Sequence, residues 1–303
     1  MQAQAGTATT HKPRKIHRNH ALPWLFVAPH LVIFAVFFLI PIIFGIYISF
    51  TNWNMVGSPH WVGLQNYKTI LMDSHSVFYT QLHNGLKNTL LFVVLAVPFC
   101  IIVPLLLAVA LNAKPKFMKF FQALFYLPSL FAISAVVIVW NLIFNPTYGP
   151  LDHLLHINTV WTGTQPYAWI TIIVVTVWWT IGGNMIIYQA ALNGIPKDYY
   201  EVASLDGASS VQQFFHITLP GIRGQILYTL VMTTISQFNI YGQPLMLTNG
   251  GPNSSTSVLL MYIQQNAFGS GQSIAGIASA MAIILGVCIM IVSAIQFFFL
   301  RDK

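Results

Sequence analysis

Six long stretches of this chain are almost free of charge, and the Lys and Arg residues gather on alternate sides of them. The stretches run from Trp24 to Phe50, Asn88 to Leu111, Ala123 to Phe144, Tyr167 to Ala191, Ile222 to Ile240, and Ala275 to Leu300, and only Arg223, at the edge of the fifth, breaks the rule. A charge at the centre of a bilayer-spanning helix costs about 2.5–3.5 kcal/mol, so a chain that lives in lipid moves its charges into loops. The stretches have the roughly 20 residues that a helix needs to cross a hydrocarbon core of about 30 Å. An all-α membrane protein with six transmembrane helices is the expectation.

Composition agrees. Charged residues make up 6% of the chain and apolar ones 56%, whereas soluble domains carry roughly 25% charge. The net charge of +7 does not indicate nucleic acid, because the basic residues neither share a face nor alternate with exposed aromatics. They follow the positive-inside rule instead. The first tail holds Lys12, Arg14, Lys15 and Arg18. The loop after the second stretch holds Lys114, Lys116 and Lys119, the loop after the fourth holds Lys197 and Arg223, and the end holds Arg301 and Lys303. The opposite loops hold only Lys68 and Lys87. Both termini are therefore expected in the cytoplasm. Trp24, Trp53, Trp161 and Tyr167 fall near stretch ends, where amphipathic rings favour the membrane interface.

The first stretch is too long for the apolar core of a cleavable signal. Cys100 and Cys288 both lie inside apolar stretches and read as small apolar side chains, not as a disulfide or metal pair. The histidines are scattered. His153 and His156, three apart beside Asp152, are the one suggestive pair, and solvated loop histidines are the expectation there. No metal and no cofactor is expected.

Residues 1–23 read as a cytoplasmic basic tail. Residues 24–86 read as the first transmembrane helix and an outer loop, with a turn at Val56-Gly57-Ser58-Pro59 and room for a short interfacial helix. Residues 87–303 read as a core of five further helices. Asn145–Pro150 and Asn249–Asn253 are turn signals on the outer side. Pro41, Pro98 and Pro104 lie within stretches, where neighbouring helices can satisfy the freed carbonyls.

The inner loop at 192–221 is longer than a connector needs. Pro196 can open a short helix, with Asp198 and Glu201 suited to its first turn and to the positive end of its dipole. Gly207 can close it in the left-handed conformation. Val211, Phe214, Phe215 and Thr218, at helical spacing, predict a second piece along the membrane surface as far as Leu219-Pro220. The expected product is a compact helix–turn–helix.

Glu201, Ala203, Gly207, Ile217, Leu219 and Pro220 carry the spacing of the EAA signature of ABC-importer permeases, with Val202 where the first Ala is usual. The chain resembles the carbohydrate-uptake branch of that family (maltose- or glycerol-phosphate-type, binding-protein-dependent) along almost its whole length. Trp61-Val62-Gly63-Leu64-Gln65-Asn66-Tyr67, Asn88-Thr89-Leu90, Tyr126-Leu127-Pro128 and Thr248-Asn249-Gly250-Gly251-Pro252 followed by Ser255-Thr256 carry the likeness. The branch often has Phe-Asp before its Gly-Gly-Pro turn. Here the matching residues are Tyr241-Gly242, so the role of that Asp does not carry over.

The resemblance implies the type I ABC importer permease fold in a bacterial inner membrane. It also implies an ATPase-coupling helix formed by Glu201, Ala203, Asp206, Gly207, Ile217, Leu219 and Pro220. The implied partners are a second permease subunit, two ABC ATPase subunits and an extracytoplasmic solute-binding protein. The substrate class it implies is a sugar or related polyol derivative. No enzymatic step belongs to this chain in that picture. Independently, the sequence has no Gly-x-x-x-x-Gly-Lys-Ser/Thr loop to cradle a nucleotide, so an energy source would come from another chain.

A sugar is held by amides, hydroxyls and aromatic platforms. The polar residues within stretches are Asn141, Thr180, Asn184, Gln189, Thr233, Ser236, Gln237 and Asn239, and the candidate platforms are Trp140, Trp178, Trp179 and Tyr241. Asn184, Gln237, Asn239, Tyr241 and Trp179 are the expected contacts. Against this stands interhelical bonding, worth about 0.6 kcal/mol per polar group. An importer for a non-sugar solute and a stand-alone secondary carrier are the competing functions. The second would ordinarily need an ionisable residue inside a span.

Overall fold

The computed structural model describes residues 21–155, 159–269 and 274–301. The His153–His156 pair falls outside what it describes. Backbone contacts divide the chain into a unit ending at Gly45 and a unit beginning at Ile46. The described part of the first unit is helical. Helix α1 (Ala21–Phe34) passes through a π-helical turn, Ala35–Leu39, into α2 (Ile40–Ser49). The widened turn abuts Pro41, which has no N–H to give to the carbonyl four residues back, and Ile40 N–H bonds instead to Ala35 O, five residues back.

Beyond α2, β1 (Thr51–Asn52) pairs antiparallel with β2 (His60–Trp61) in a short hairpin. Helix α3 (Gln65–Leu71) follows and supplies the short helix expected in the outer segment. Here the Gly-Leu-Gln-Asn-Tyr sequence acts as a clasp. Asn66 Nδ2 donates to Ser49 O (2.8 Å) and Thr51 O (2.9 Å), and the Tyr67 hydroxyl bonds Ser49 Oγ (2.8 Å).

Helix α4 (Val77–Asn112) is capped by Ser76 Oγ, which accepts the Phe78 N–H, and runs 36 residues. It therefore starts eleven residues before the expected Asn88 and takes Lys87 into the helix. A capping serine, invisible to hydropathy, sets that boundary. Its buried face includes Phe92, Ala96 and Cys100, while Leu90, Leu91, Val94, Leu95, Phe99, Ile102 and Leu106 are exposed. Large apolar side chains facing outward along a whole helix suit lipid, not water.

The third expected span is not one helix. Helix α5 (Met118–Tyr126), with a 3₁₀ turn at Leu127–Leu130, meets α6 (Ile133–Ile143) at 105°. Phe131 and Ala132 are extended. The bend nests on a glycine: a Cβ at Gly182 would lie 2.8 Å from Tyr126 Cα. Helix α7 (Pro150–Leu155) precedes α8 (Tyr167–Asn193). Three short pieces follow, α9 (Asp198–Leu205), α10 (Ser210–Gln213) and α11 (Leu219–Gly221), with a π-helical turn at Phe214–Thr218.

Helix α12 (Arg223–Phe238) has 16 residues, about 24 Å at 1.5 Å per residue, shorter than a bilayer core. The chain then turns through α13 (Gly242–Thr248) and α14 (Leu259–Phe268) into α15 (Ala275–Arg301). Among the described residues four helices are long and apolar enough to cross a membrane, or five if the bent pair forms one span.

The second unit is cored by α4 against α8, with α12 on both and α15 on α12, α14 and α3. Three buried clusters run along it. One centres on Phe92, Trp169 and Ile172, one on Ile70, Phe238 and Met281, and one on Leu105, Met185, Tyr188 and Ile222. The 249–258 turn is sewn to α4 by the Asn-Thr pair noted in the sequence. Asn88 Nδ2 donates to Ser254 O and Ser257 O (both 3.0 Å), and Thr89 Oγ1 accepts the Leu259 N–H (2.9 Å).

Candidate functional site

Residues 194–221 fold into the expected helix–turn–helix, and local chemistry accounts for each part. Asp198 and Glu201 stand in the first turn of α9, where a negative charge meets the positive end of the helix dipole. Gly207 takes φ +78°, a conformation open to glycine and costly for a β-carbon. Its N–H bonds Ser204 O (3.1 Å) and the next N–H, of Ala208, bonds Ala203 O (2.9 Å). Together these close α9 as a Schellman turn. Ser209 then opens α10 with a capping box, reciprocated by Gln212.

The two arms are tied together. Gln213 Nε2 donates to Ser204 Oγ (3.0 Å) and Ala208 O (3.2 Å), and the Tyr200 hydroxyl meets Thr218 Oγ1 at 2.9 Å. Ile195, Phe214 and Leu219 pack on the buried cluster of Tyr188, Leu192 and Ile222. The knob is thus tied across its two arms and packed against α8 and the start of α12.

Its outer face is exposed at Glu201, Val202, Leu205, Asp206 and Gly207. An open cleft of about 1050 Å³ runs between the arms, lined by Tyr199, Val202, Ala203, Asp206, His216, Ile217 and Gln225 among others. So Ala203, Asp206 and Ile217 share one surface. Glu201 stands on the exposed face of α9, Leu219 roots the second arm, and exposed Pro220 ends it. The sequence reading did not name Ser209, Gln212, Gln213, Tyr200 or Thr218 as functional. The Ser-x-x-Gln spacing was a usable signal for the first two.

A smaller pocket of about 230 Å³ opens at the far end of α12. It is lined by Ile133, Trp179, Thr180, Ser236, Gln237, Asn239, Ile240, Tyr241, Gly242 and Gln243. Four of the five expected contacts, Trp179, Gln237, Asn239 and Tyr241, therefore come together. Trp179 Nε1 donates to Phe131 O at the bend of the third span (3.0 Å), and Asn239 Nδ2 donates to Ile235 O (2.8 Å). Asn184 departs from expectation and lies outside this lining. Its amide donates to Cys100 O (2.9 Å) and Thr233 Oγ1 (3.0 Å), tying α8 to α4 and α12. Ile133 and Gln243 were not anticipated, because nothing local marks residues brought together from different helices. Trp140 and Trp178 pack edge-on against each other instead (5.6 Å), and neither lines this pocket.

Helices with lipid-compatible outer faces, a rooted knob at one end and a pocket of amides, hydroxyls and aromatic rings at the other are the marks of a multi-pass membrane protein. Comparison with known proteins gives the class its family. Residues 84–302 match the model described as "Binding-protein-dependent transport system inner membrane component". The chain is 33% identical over 294 residues to the probable starch degradation products transport system permease protein AmyD of Thermoanaerobacterium thermosulfurigenes, covering 96% of this chain and 98% of that protein. It is 32% identical over 277 residues to the multiple sugar-binding transport system permease protein MsmF of Streptococcus mutans, covering 90% and 93%. A chain of a bacterial alginate ABC transporter, solved in complex with an alginate pentasaccharide-bound periplasmic protein, matches with TM-score 0.79 at 22% identity, covering 94% of this chain and 95% of that one. The fold is accordingly that of a type I ABC importer permease. This chain belongs to the binding-protein-dependent transport system inner membrane component family, and it is a multi-pass protein of the cell membrane.

Proposed function

We propose that this chain is the permease subunit of an ATP-driven importer for a sugar or related polyol derivative, supplying half of the translocation pathway. Six membrane passages with both termini in the cytoplasm fit the placement of Lys and Arg, with the bent pair as the third passage and α12 as the fifth. It pairs with a second permease, takes substrate from a solute-binding protein and rests on two ATPase subunits. Relatives named for starch products and multiple sugars, covered almost end to end, support the substrate class.

The observation that carries the coupling role is the knob. Glu201, Ala203, Asp206, Gly207, Ile217, Leu219 and Pro220 lie within one Schellman-closed body rooted in the helices on either side of it. A push on such a body is delivered to α8 and α12 instead of being lost in loop motion. Trp179, Gln237, Asn239 and Tyr241 are the proposed substrate contacts, an amide-and-aromatic set suited to hydroxyls and sugar ring faces.

The test is uptake of a panel of labelled sugars by a deletion strain complemented with this gene. Wild type restores uptake of at least one sugar, while Glu201→Lys reaches the membrane in normal amount and restores none. Normal uptake by Glu201→Lys removes the coupling role. Uptake of an amino acid or an inorganic ion in place of any sugar removes the substrate class.

A further inference from the structure

Helices α8 and α12 run antiparallel on either side of the knob, and their facing polar residues form a ladder in step. Thr180, Asn184 and Tyr188 recur every fourth residue on α8, while Gln237, Thr233 and Thr229 recur every fourth residue backwards along α12. Asn184 Nδ2 donates to Thr233 Oγ1 at 3.0 Å, and the Tyr188 hydroxyl meets Thr229 Oγ1 at 2.5 Å. At the outermost rung, Thr180 Oγ1 and Gln237 Nε2 share the sulfur of Cys100, at 3.8 and 4.0 Å. One turn further inward, Gln225 lines the cleft of the knob. At the other extreme, Thr180 and Gln237 line the outer pocket. The ladder therefore joins the two sites along one seam.

The donors can be assigned. Thr229 Oγ1 lies 2.9 Å from Gln225 O and 3.0 Å from Ile226 O, so its single proton goes to its own helix. The hydroxyl then accepts from Tyr188. Both groups are fully buried, and Thr233 nearly so. In a medium without water, separating such a rung leaves polar groups without partners, so the two helices resist sliding past each other. Asn184 is bonded to α4 as well, through Cys100 O.

We infer that Tyr188, Thr229, Asn184 and Thr233 are positioning residues for transport: they lock α8, the knob and α12 into one lever, so that movement of the knob arrives unreduced at the pocket edge formed by Thr180 and Gln237. The inference rests on the importer reading given above. The seam holds its register throughout the transport cycle.

Two measurements on the complete importer, reconstituted in vesicles with its binding protein and a transported sugar, test this. The first is the number of ATP molecules hydrolysed per sugar taken up. Tyr188→Phe with Thr233→Val removes one donor and one acceptor at nearly constant shape, and the ratio is expected to rise about tenfold, within the range of ordinary coupling energies. Thr233→Ser, which keeps the hydroxyl, leaves the ratio at the wild-type value. A residue of merely structural importance would lower assembly and uptake together without changing the ratio. An unchanged ratio in the double variant overturns the inference, and so does a raised ratio in Thr233→Ser.

The second measurement fixes the register. Asn184→Cys with Thr233→Cys, in a background of Cys100→Ser and Cys288→Ser, is joined by a short bifunctional methanethiosulfonate, whose disulfide bonds to the two cysteines a thiol reductant cleaves. Uptake that survives the link at the background's own rate supports one rigid lever. Uptake abolished by the link and restored by reduction shows that the helices must slide, and the inference falls. A wild-type assembly in which sugar-loaded binding protein fails to stimulate ATP hydrolysis would instead overturn the importer reading itself.

Discussion

Asn88 shows how one side chain can fix a distant turn. Its amide donates to both the Ser254 and the Ser257 carbonyl, and it is almost completely buried. Asn88→Ala strands the buried Ser257 carbonyl at a cost of about 1–3 kcal/mol and leaves Ser254 O to Asn84 alone. A lower melting temperature in detergent is the expected result, and an unchanged midpoint would mean that Asn84, which also reaches Ser254 O, suffices. Gly207 works by absence of a side chain: its backbone φ of +78° tolerates Asn far better than a β-branched residue. Gly207→Asn should preserve binding of the ATPase subunits, and Gly207→Val should weaken it, as read by co-purification. Equal recovery with both would show that the left-handed turn is dispensable.

At the scale of elements, the knob was legible because its determinants are local. An acidic first turn, a glycine at the left-handed position and a Pro at the end each act within a few residues, and each appears where the sequence puts it. The third span was not legible as a bent pair. Hydropathy averages over a window and carries no direction, so Ala123–Phe144 looks like a single apolar helix even though the chain turns by 105° at the extended Phe131-Ala132. The sites divide in the same way. Thr180 and Asn184 are one turn apart on α8, yet one lines the outer pocket and the other ties helices together. What α12 and α6 place opposite each of them decides the outcome, and sequence spacing on α8 cannot report it. Within the knob, Gln213 is the cross-tie between the arms. Gln213→Ala should raise amide hydrogen exchange across residues 200–220 without changing that of α8. A uniform rise through both would mean the knob and the span open together.

For the whole molecule, the strongest constraint came from where charges are missing, because lipid excludes charge whatever the tertiary arrangement. That reasoning gives a topology that labelling can check. A cysteine placed at Ser58, in the hairpin segment, should react with a membrane-impermeant thiol reagent added outside intact cells. One placed at Ser204, on the knob, should react only after the cells are opened. Labelling of position 204 from outside would invert the orientation and remove the six-passage scheme.

The stitch between Asn88 and the 254–257 backbone links positions 166 and 169 residues apart. A ribosome feeds a chain into the bilayer from its amino terminus, so α4 enters with this amide unclaimed and with the Thr89 hydroxyl bonded only to Gly85 O of its own helix. They wait while α5 through α13 are synthesised. During that interval the Asn88 amide lacks its two carbonyl partners on an otherwise apolar stretch of helix. Closure of the 249–258 turn is then among the last events of biogenesis, and truncated chains ending before it are the ones a membrane protease would be expected to remove.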